Sequence, residues 1–332
     1  MYILSSRNVK PKHVSYNTVL GLEEEFLECM GNQSIIYFSE KVGFLNRICY
    51  KFLKKSLFID YRVKNSIKRI KGQDKVFFPI MGLFEADFHI NTLEKIGNRL
   101  VIYIFDCWES DYDQWDKLLK KINPYVVCFA YKKSAEYFAK KGYITHFMPQ
   151  SMDEKIFYPR EVEKNRLFIQ MGRKVQILHE LALQYMKKNN INDADEAYVY
   201  ERTPGTIIFP DANELAKNIC STKFFFAAPQ LVHNHKVTGD ISEVTARFYE
   251  AMACKTLIVG IKPADSFDLL FPYQNAMIEV DKDNFDEKID YYLTHDDEYK
   301  NMVCKNYDYV MKNHRWRNRY QDLLQFLSTL QE

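Results

Sequence analysis

Leu100-Val-Ile-Tyr-Ile-Phe-Asp106-Cys-Trp-Glu109 is an apolar run that turns polar at its end. A strand wetted on one face alternates apolar and polar residues, whereas a strand covered on both faces reads as a continuous apolar run, as in parallel sheets clad with helices. The polar residues fall at the C-terminal tip, the edge at which open α/β sheets bind ligands. Strand-like segments recur around it at 2–5, 34–38, 75–80, 125–129 and 144–148, and the strand within the quoted run spans 100–105. Between them the spacing predicts helices at 17–30, with the acidic Glu23-Glu24-Glu25, at 83–96, at 115–121, and at 133–141 closed by Gly142. This alternation predicts an α/β fold with parallel layers, not a helical bundle or a sandwich.

The pattern pauses after Met148-Pro149-Gln150 and Phe157-Tyr158-Pro159, where the charged run Arg160-Glu-Val-Glu-Lys-Asn165 intervenes, and then restarts. A strand at 167–171 ends at Gly172-Arg173-Lys174 and leads into a helix at 175–189. Further strands are predicted at 197–200, 206–208, 224–227, 256–259 and 277–280, with helices at 213–220, 242–253 and 285–293 and one or two long closing helices over 299–330. The chain of 332 residues therefore reads as two Rossmann-like domains, 1–155 and 156–332.

Glycine is scarce, 11 residues, about half the usual share of roughly 7%. No two glycines stand close enough for G-x-G-x-x-G, and no P-loop string occurs, so a nucleotide would have to be held by other means. The seven cysteines are odd in number, scattered and never in C-x-x-C, which suits reduced thiols in the cytoplasm rather than a disulfide framework or a zinc site. No signal-peptide layout and no 18-residue apolar run is present. The net charge of +2 conceals an asymmetry: residues 1–160 carry 25 Lys/Arg and 18 Asp/Glu. Most of the excess lies between Arg47 and Lys71, where nine cations face only Asp60 among interleaved apolar residues. That pattern reads either as a solvated surface helix or as a peripheral contact with an anionic membrane or acceptor; no nucleic-acid module accompanies it.

Chemistry concentrates in Ser242-Glu243-Val-Thr245-Ala-Arg247-Phe-Tyr249-Glu250-Ala-Met-Ala-Cys254-Lys255. As one helix it sets Glu243, Arg247 and Glu250 on one side. The polar loop from Pro229 to Asp240, with His233, His235 and Gly239, feeds its N-terminus, where unpaired N–H groups and a positive dipole end can hold a pyrophosphate. Thr245 would stand at that end and Glu250 could accept hydrogen bonds from ribose hydroxyls. Arg247 either reaches a phosphate or pairs with Glu243. Tyr200-Glu201-Arg202, after a predicted strand, either line a nucleobase pocket or form a plain loop. Asp106, with Trp108 and Glu109 beside it, is the N-terminal candidate for contact with a second substrate, the acceptor if a group is transferred, and either carboxylate could serve as a general base. His89, His146 and His179 read as structural, and His235 as a donor contact or a surface residue. The strings Asp111-x-Asp113, Asp193-x-Asp195 and Asp281-x-Asp283 read as acidic turns, so no metal site is expected.

On these residues the chain resembles the GT-B glycosyltransferases, in particular the retaining family-four-like group and the spore-coat-type family 1 transferases. The likeness is carried by Thr245-x-Arg247-x-Tyr249-Glu250-Ala-Met-Ala-Cys, Leu257-Ile-Val-Gly260, Asp268-Leu-Leu, Ile278-Glu-Val, Met148-Pro-Gln-x-Met-Asp153 with Phe157-x-Pro159, and His314-x-Trp316-x-x-Arg319-Tyr. It covers residues 145–332, and the first half by architecture. The resemblance implies two domains facing across a cleft, a nucleotide-sugar donor on the second, a glycan or lipid-linked acceptor on the first, and no metal cofactor. It further implies that Gly172-Arg173-Lys174 neutralise the departing diphosphate, that Glu250 is the second of two motif carboxylates, and that Glu243 stands for the first. Two departures are visible: Glu243 precedes Glu250 by seven positions where the family has eight, and Lys255 stands where a small residue is usual. The same scaffold also serves sugar-nucleotide epimerases, phosphorylases and non-catalytic nucleotide-binding proteins.

Overall fold

The computed structural model describes the chain except residues 10–15, 32–33, 40–47, 49–51, 53–58, 69, 71–73, 173, 192–196, 204–207, 210 and 331–332, and the side chain of His233. Two all-parallel sheets form the frame. In the first, β1 (Tyr2–Ser5), β2 (Ile35–Tyr37), β3 (Val76–Ile80), β4 (Leu100–Ile104), β5 (Val126–Phe129) and β6 (Thr145–Phe147) are ordered β2-β1-β3-β4-β5-β6. β3 and β4 are buried throughout, as continuous apolar runs require. The crossovers are α1 (Asn17–Met30), α2 (Tyr61–Ile67), α3 (Leu83–Ile96), α4 (Tyr112–Ile122) and α5 (Lys132–Lys140). Within the basic segment, α2 buries Val63 and Ile67, is capped by Asp60, and leaves Arg62, Lys64 and Lys68 in solvent. Arg47 and Lys71 lie outside the described residues.

The second sheet has the order β11-β10-β9-β7-β8, with β7 (Arg166–Gln170), β8 (Tyr198–Val199), β9 (Thr222–Ala227), β10 (Leu257–Gly260) and β11 (Ile278–Glu279). Its helices are α6 (Gln176–Lys188), α7 (Ala212–Cys220), α8 (Leu231–Thr238), α9 (Ala246–Ala253), α10 (Phe267–Leu270), α11 (Phe285–Thr294) and α12 (Asp296–Asn313). The strand expected at 206–208 falls largely outside the described residues. The loop expected before α9 holds α8, whose turns are interrupted at Asn234 (φ −150°, ψ 54°).

The chain then leaves the second domain. After His314-Arg315, the last helix, α13 (Trp316–Thr329), returns to the first domain. Trp316, Tyr320, Leu323 and Leu327 follow one another at helical spacing and make a single apolar stripe, which packs with Val19, Leu22 and Phe26 of α1. Arg317 pairs with Glu25 at 2.7 Å. The closing helices predicted for the second domain are thus divided between the two. The link at Pro149-Gln150 is clasped by buried Arg319, which donates to Pro149 O at 2.9 Å, Gln150 O at 3.3 Å and His314 Nδ1 at 2.8 Å, while His314 Nε2 donates to Leu270 O at 2.8 Å.

Burial, and then the neighbouring guanidinium, push the His314 pKa down to about 3. In the unfolded chain this imidazole takes a proton near pH 6.5. The stability contributed by neutral His314 is therefore present above pH 6.5 and lost as the pH falls toward 3. Urea unfolding at pH 7 and pH 4.5 should show a smaller loss on acidification in His314→Gln, which keeps a donor and an acceptor but does not titrate, than in the wild type.

Candidate functional site

A cleft of about 380 Å³ opens between the C-terminal edges of the two sheets. Its floor on the second domain is the end of β7, Gln170-Met171-Gly172, and the end of β9, Phe225 to Ala228. The parallel topology aims both strand ends there and starts the following helices at the same place. α6 begins just past Gly172 and Val175, and α9 begins at Thr245. Gly172 turns with φ +80°, a conformation that side-chain-bearing residues rarely adopt. Two helix N-termini therefore face one cavity, an arrangement that favours an anionic ligand. From the first domain come Asn17 and Thr18 at the start of α1, with Met81, Asp106 and Tyr131.

α9 is four residues shorter at its start than expected. Thr245 is extended (φ −100°, ψ 169°) and is the N-cap, and the Ala246 N–H that follows is taken by Gln150 Oε1 at 2.8 Å. Glu243 consequently lies outside the helix and does not share a face with Arg247. It is buried and reaches across the domain boundary: its carboxylate accepts the Lys132 N–H at 2.7 Å, at the first turn of α5, and the Ser266 hydroxyl. A carboxylate on a helix N-terminus is a favourable pairing. Burial raises its pKa against the lowering effect of those bonds. Lys133 adds Asp240 O at 2.6 Å and Asp265 at 2.9 Å to the same junction.

Arg247 pairs instead with Glu250, one turn on, and both line the cleft. Glu250 is 4% exposed, so its carboxylate is shielded from bulk water and held by the guanidinium. Opposite, Asp106 at the tip of β4 accepts the Tyr131 hydroxyl at 2.9 Å. Thr245, Arg247, Glu250, Gly172 and Asp106 thus converge on one cavity.

Other expected residues are placed elsewhere. Trp108 is buried, its ring 4.5 Å from that of Tyr131, and offers no face to the cleft. Glu109 packs against Gly239 (φ +58°), where a Cβ would lie 1.9 Å from its Oε2. His235 is exposed on α8, 3.2 Å from Asp240, and is not part of the lining. Tyr200 stands outside the lining, flanked by Lys174 at 5.5 Å and Arg202 at 5.6 Å from its ring centre, and Glu201 lies beside it. Arg173 is outside the described residues. Asp281 accepts the N–H groups of Asp283 and Asn284, so that Asp-x-Asp string forms a turn. Gln150, which the sequence marks only as part of the Met148-Pro-Gln string, and Gln170, which it does not mark at all, are both buried and both in the lining.

A family profile described as glycosyl transferase-like matches residues 201–325, the stretch that contains α8, α9 and β10. No curated protein matches the sequence. Among solved structures, HepE of Anabaena in complex with UDP-glucose is similar with a TM-score of 0.58 and 10% identity over 99% of each chain. The trehalose-6-phosphate synthase OtsA gives 0.61 and 12% identity over 100% of this chain and 98% of its own. The N-terminal domain of Candida albicans trehalose-6-phosphate phosphatase gives 0.57 and 9% over 98% of each. The chain has the GT-B fold of these structures, and residues 201–325 are similar to the glycosyl transferase-like family.

The placement of Glu243 separates strut from site. Glu243→Ala removes an acceptor from two buried donors and should lower unfolding free energy by about 2–3 kcal/mol in urea. Glu243→Gln, which keeps an acceptor, should lose less. The thermal midpoint of the Gln variant, read by scanning calorimetry, should lie close to that of the wild type.

Proposed function

We propose that this chain is a glycosyltransferase that moves a sugar from a nucleotide-sugar donor to a glycan or lipid-linked acceptor, with retention of configuration and without a metal. The observation that carries this reading is the cleft in which the N-termini of α6 and α9 and the Arg247–Glu250 pair face Asp106 across the domain boundary. The family match over residues 201–325 and the UDP-glucose bound by the similarly folded HepE support it. UDP-glucose is accordingly the first donor to test.

In this reading the donor lies on residues 156–332. Its diphosphate sits over the Gly172 turn and the α9 N-terminus, and the family resemblance gives Arg173 and Lys174, next in the chain, the role of neutralising it. Fixed charges of this kind stabilise the negative charge that grows on a departing nucleoside diphosphate. Glu250 accepts the ribose hydroxyls, and Arg247 orients Glu250 or exchanges it for a phosphate oxygen. The acceptor approaches from residues 1–155. Under retention the bond from the anomeric carbon to the phosphate oxygen breaks as the bond to the acceptor oxygen forms on the same face, and the acceptor proton passes to the released phosphate. Asp106 then positions the acceptor hydroxyl rather than acting as a base.

A second proposal concerns the acceptor's location. Tyr61 and Phe84 are 76% and 69% exposed, and Tyr61 opens the helix that presents Arg62, Lys64 and Lys68 to solvent. Exposed aromatic rings beside cations suit the headgroup region of an anionic membrane. No helix among the described residues is long and apolar enough to cross a bilayer. We place the protein in the cytoplasm, at times peripheral to the membrane, where free thiols such as Cys107 and Cys128 are kept reduced.

Glu250→Ala should weaken donor binding at least tenfold by calorimetry with little change in thermal midpoint; unchanged affinity would remove Glu250 from the donor site. In the same assay with acceptor present, the anomeric configuration of the product, read by proton NMR, decides retention. Co-sedimentation with vesicles of anionic lipid should fall steeply between low and physiological salt. Binding that ignores both salt and lipid charge would exclude the membrane surface.

A further inference from the structure

We infer that Gln170 is a donor-recognition residue whose side-chain amide N–H hydrogen-bonds an oxygen of the donor nucleotide. The inference rests on the proposed reading of the cleft as a nucleotide-sugar site.

Gln170 is the last residue of β7 and is 1% exposed. Strand alternation puts it on the face of Phe168, packed with Phe224, Phe226 and Tyr198, a position that aliphatic or aromatic residues fill by default. A glutamine there buries a donor and an acceptor together. Only the acceptor is used: Oε1 takes the Tyr198 hydroxyl proton at 3.0 Å, and the same hydroxyl lies 3.2 Å from His179 Nδ1. That relay fixes the plane and direction of the amide. Nε2 is left buried and, among the described residues, without a partner. Other unpaired buried donors, such as the indole nitrogens of Trp115 and Trp316, belong to residues of the cores; Gln170 lines the cleft.

Buried donors are almost always paired in the working state of a protein. An orphan N–H beside the Gly172 turn, where α6 begins, is therefore a socket for a ligand acceptor. A nucleoside diphosphate offers such oxygens of three kinds: a base carbonyl in UDP and GDP, the ribose hydroxyls and the phosphate oxygens. The free protein tolerates an unfavourable group that the bound state satisfies, a trade of stability for function.

The test uses the full chain and two variants. Gln170→Met removes the orphan donor and leaves Tyr198 paired with His179. Gln170→Glu keeps the Tyr198 bond and presents oxygen where the N–H stood. UDP, GDP and ADP are first screened on wild type by thermal shift, and the tightest is carried into calorimetry beside its monophosphate and inorganic pyrophosphate. The Met variant should have a thermal midpoint equal to or above wild type in the absence of ligand, yet bind the diphosphate about 5–10-fold more weakly. The Glu variant should fold and lose more. A loss shared by the monophosphate assigns base, ribose or α-phosphate contact, and a loss shared by pyrophosphate assigns the diphosphate. Affinities within twofold of wild type in both variants, or a loss matched by a lowered midpoint in both, would overturn the role of Gln170. A wild type that binds none of the nucleotides would refute the donor-site reading itself.

Discussion

The arrangement of this protein depends on a buried guanidinium at the crossing between its domains. Arg319 sits on the final helix, yet its hydrogen bonds close on the carbonyls of Pro149 and Gln150, at sequence separations of 170 and 169. Carbonyls in a link segment have no ladder to join, and leaving them buried and unpaired would be costly. One side chain with several N–H groups in a rigid fork answers several of them at once. The consequence reaches the cleft, because Gln150, so held, lends its side-chain oxygen to the first N–H of α9. Domain orientation and the start of the helix that carries Glu250 are thus set by connected hydrogen bonds.

Around that joint, carboxylates of similar appearance take different duties. Glu250 stays in the cleft because helical spacing brings Arg247 one turn before it and gives the buried carboxylate a partner. Glu243 is pulled away because the chain before Thr245 is extended and the α5 N-terminus of the other domain offers it N–H groups. Asp106 is restrained by the Tyr131 hydroxyl at the tip of a fully buried strand. The carboxylate at the place of the first motif residue is thus taken up in bonds to Lys132 and Ser266, and the cleft is lined by helix termini and by the neutral amides of Gln150 and Gln170.

Much of the architecture was legible in the residues. The run from Leu100 to Ile104 is a central strand for the reason its composition suggests, and α1 and α3 occupy the expected spans. Strand ends differ from the expected ones by one or two residues. The site was legible where spacing is local, as for Arg247 and Glu250 or the Gly172 turn. It was illegible where a residue answers to something distant. Trp108 reads as an acceptor contact beside Asp106 until Tyr131 and the core are placed against it. Gln170 reads as nothing until the aromatic packing around it and its unpaired nitrogen are known.

The sequence by itself determined two parallel α/β units, their order and the strand ends at which a ligand would lie, because apolar periodicity and turn residues act over a few neighbouring positions. Only the tertiary structure decided that α13 belongs to the first domain, that Glu243 is a strut, and that Gln150 and Gln170 face the cleft beside Glu250. Those outcomes rest on hydrogen bonds and packing between residues as far apart as Glu25 and Arg317, 292 positions, and contacts of that range leave no local pattern to read.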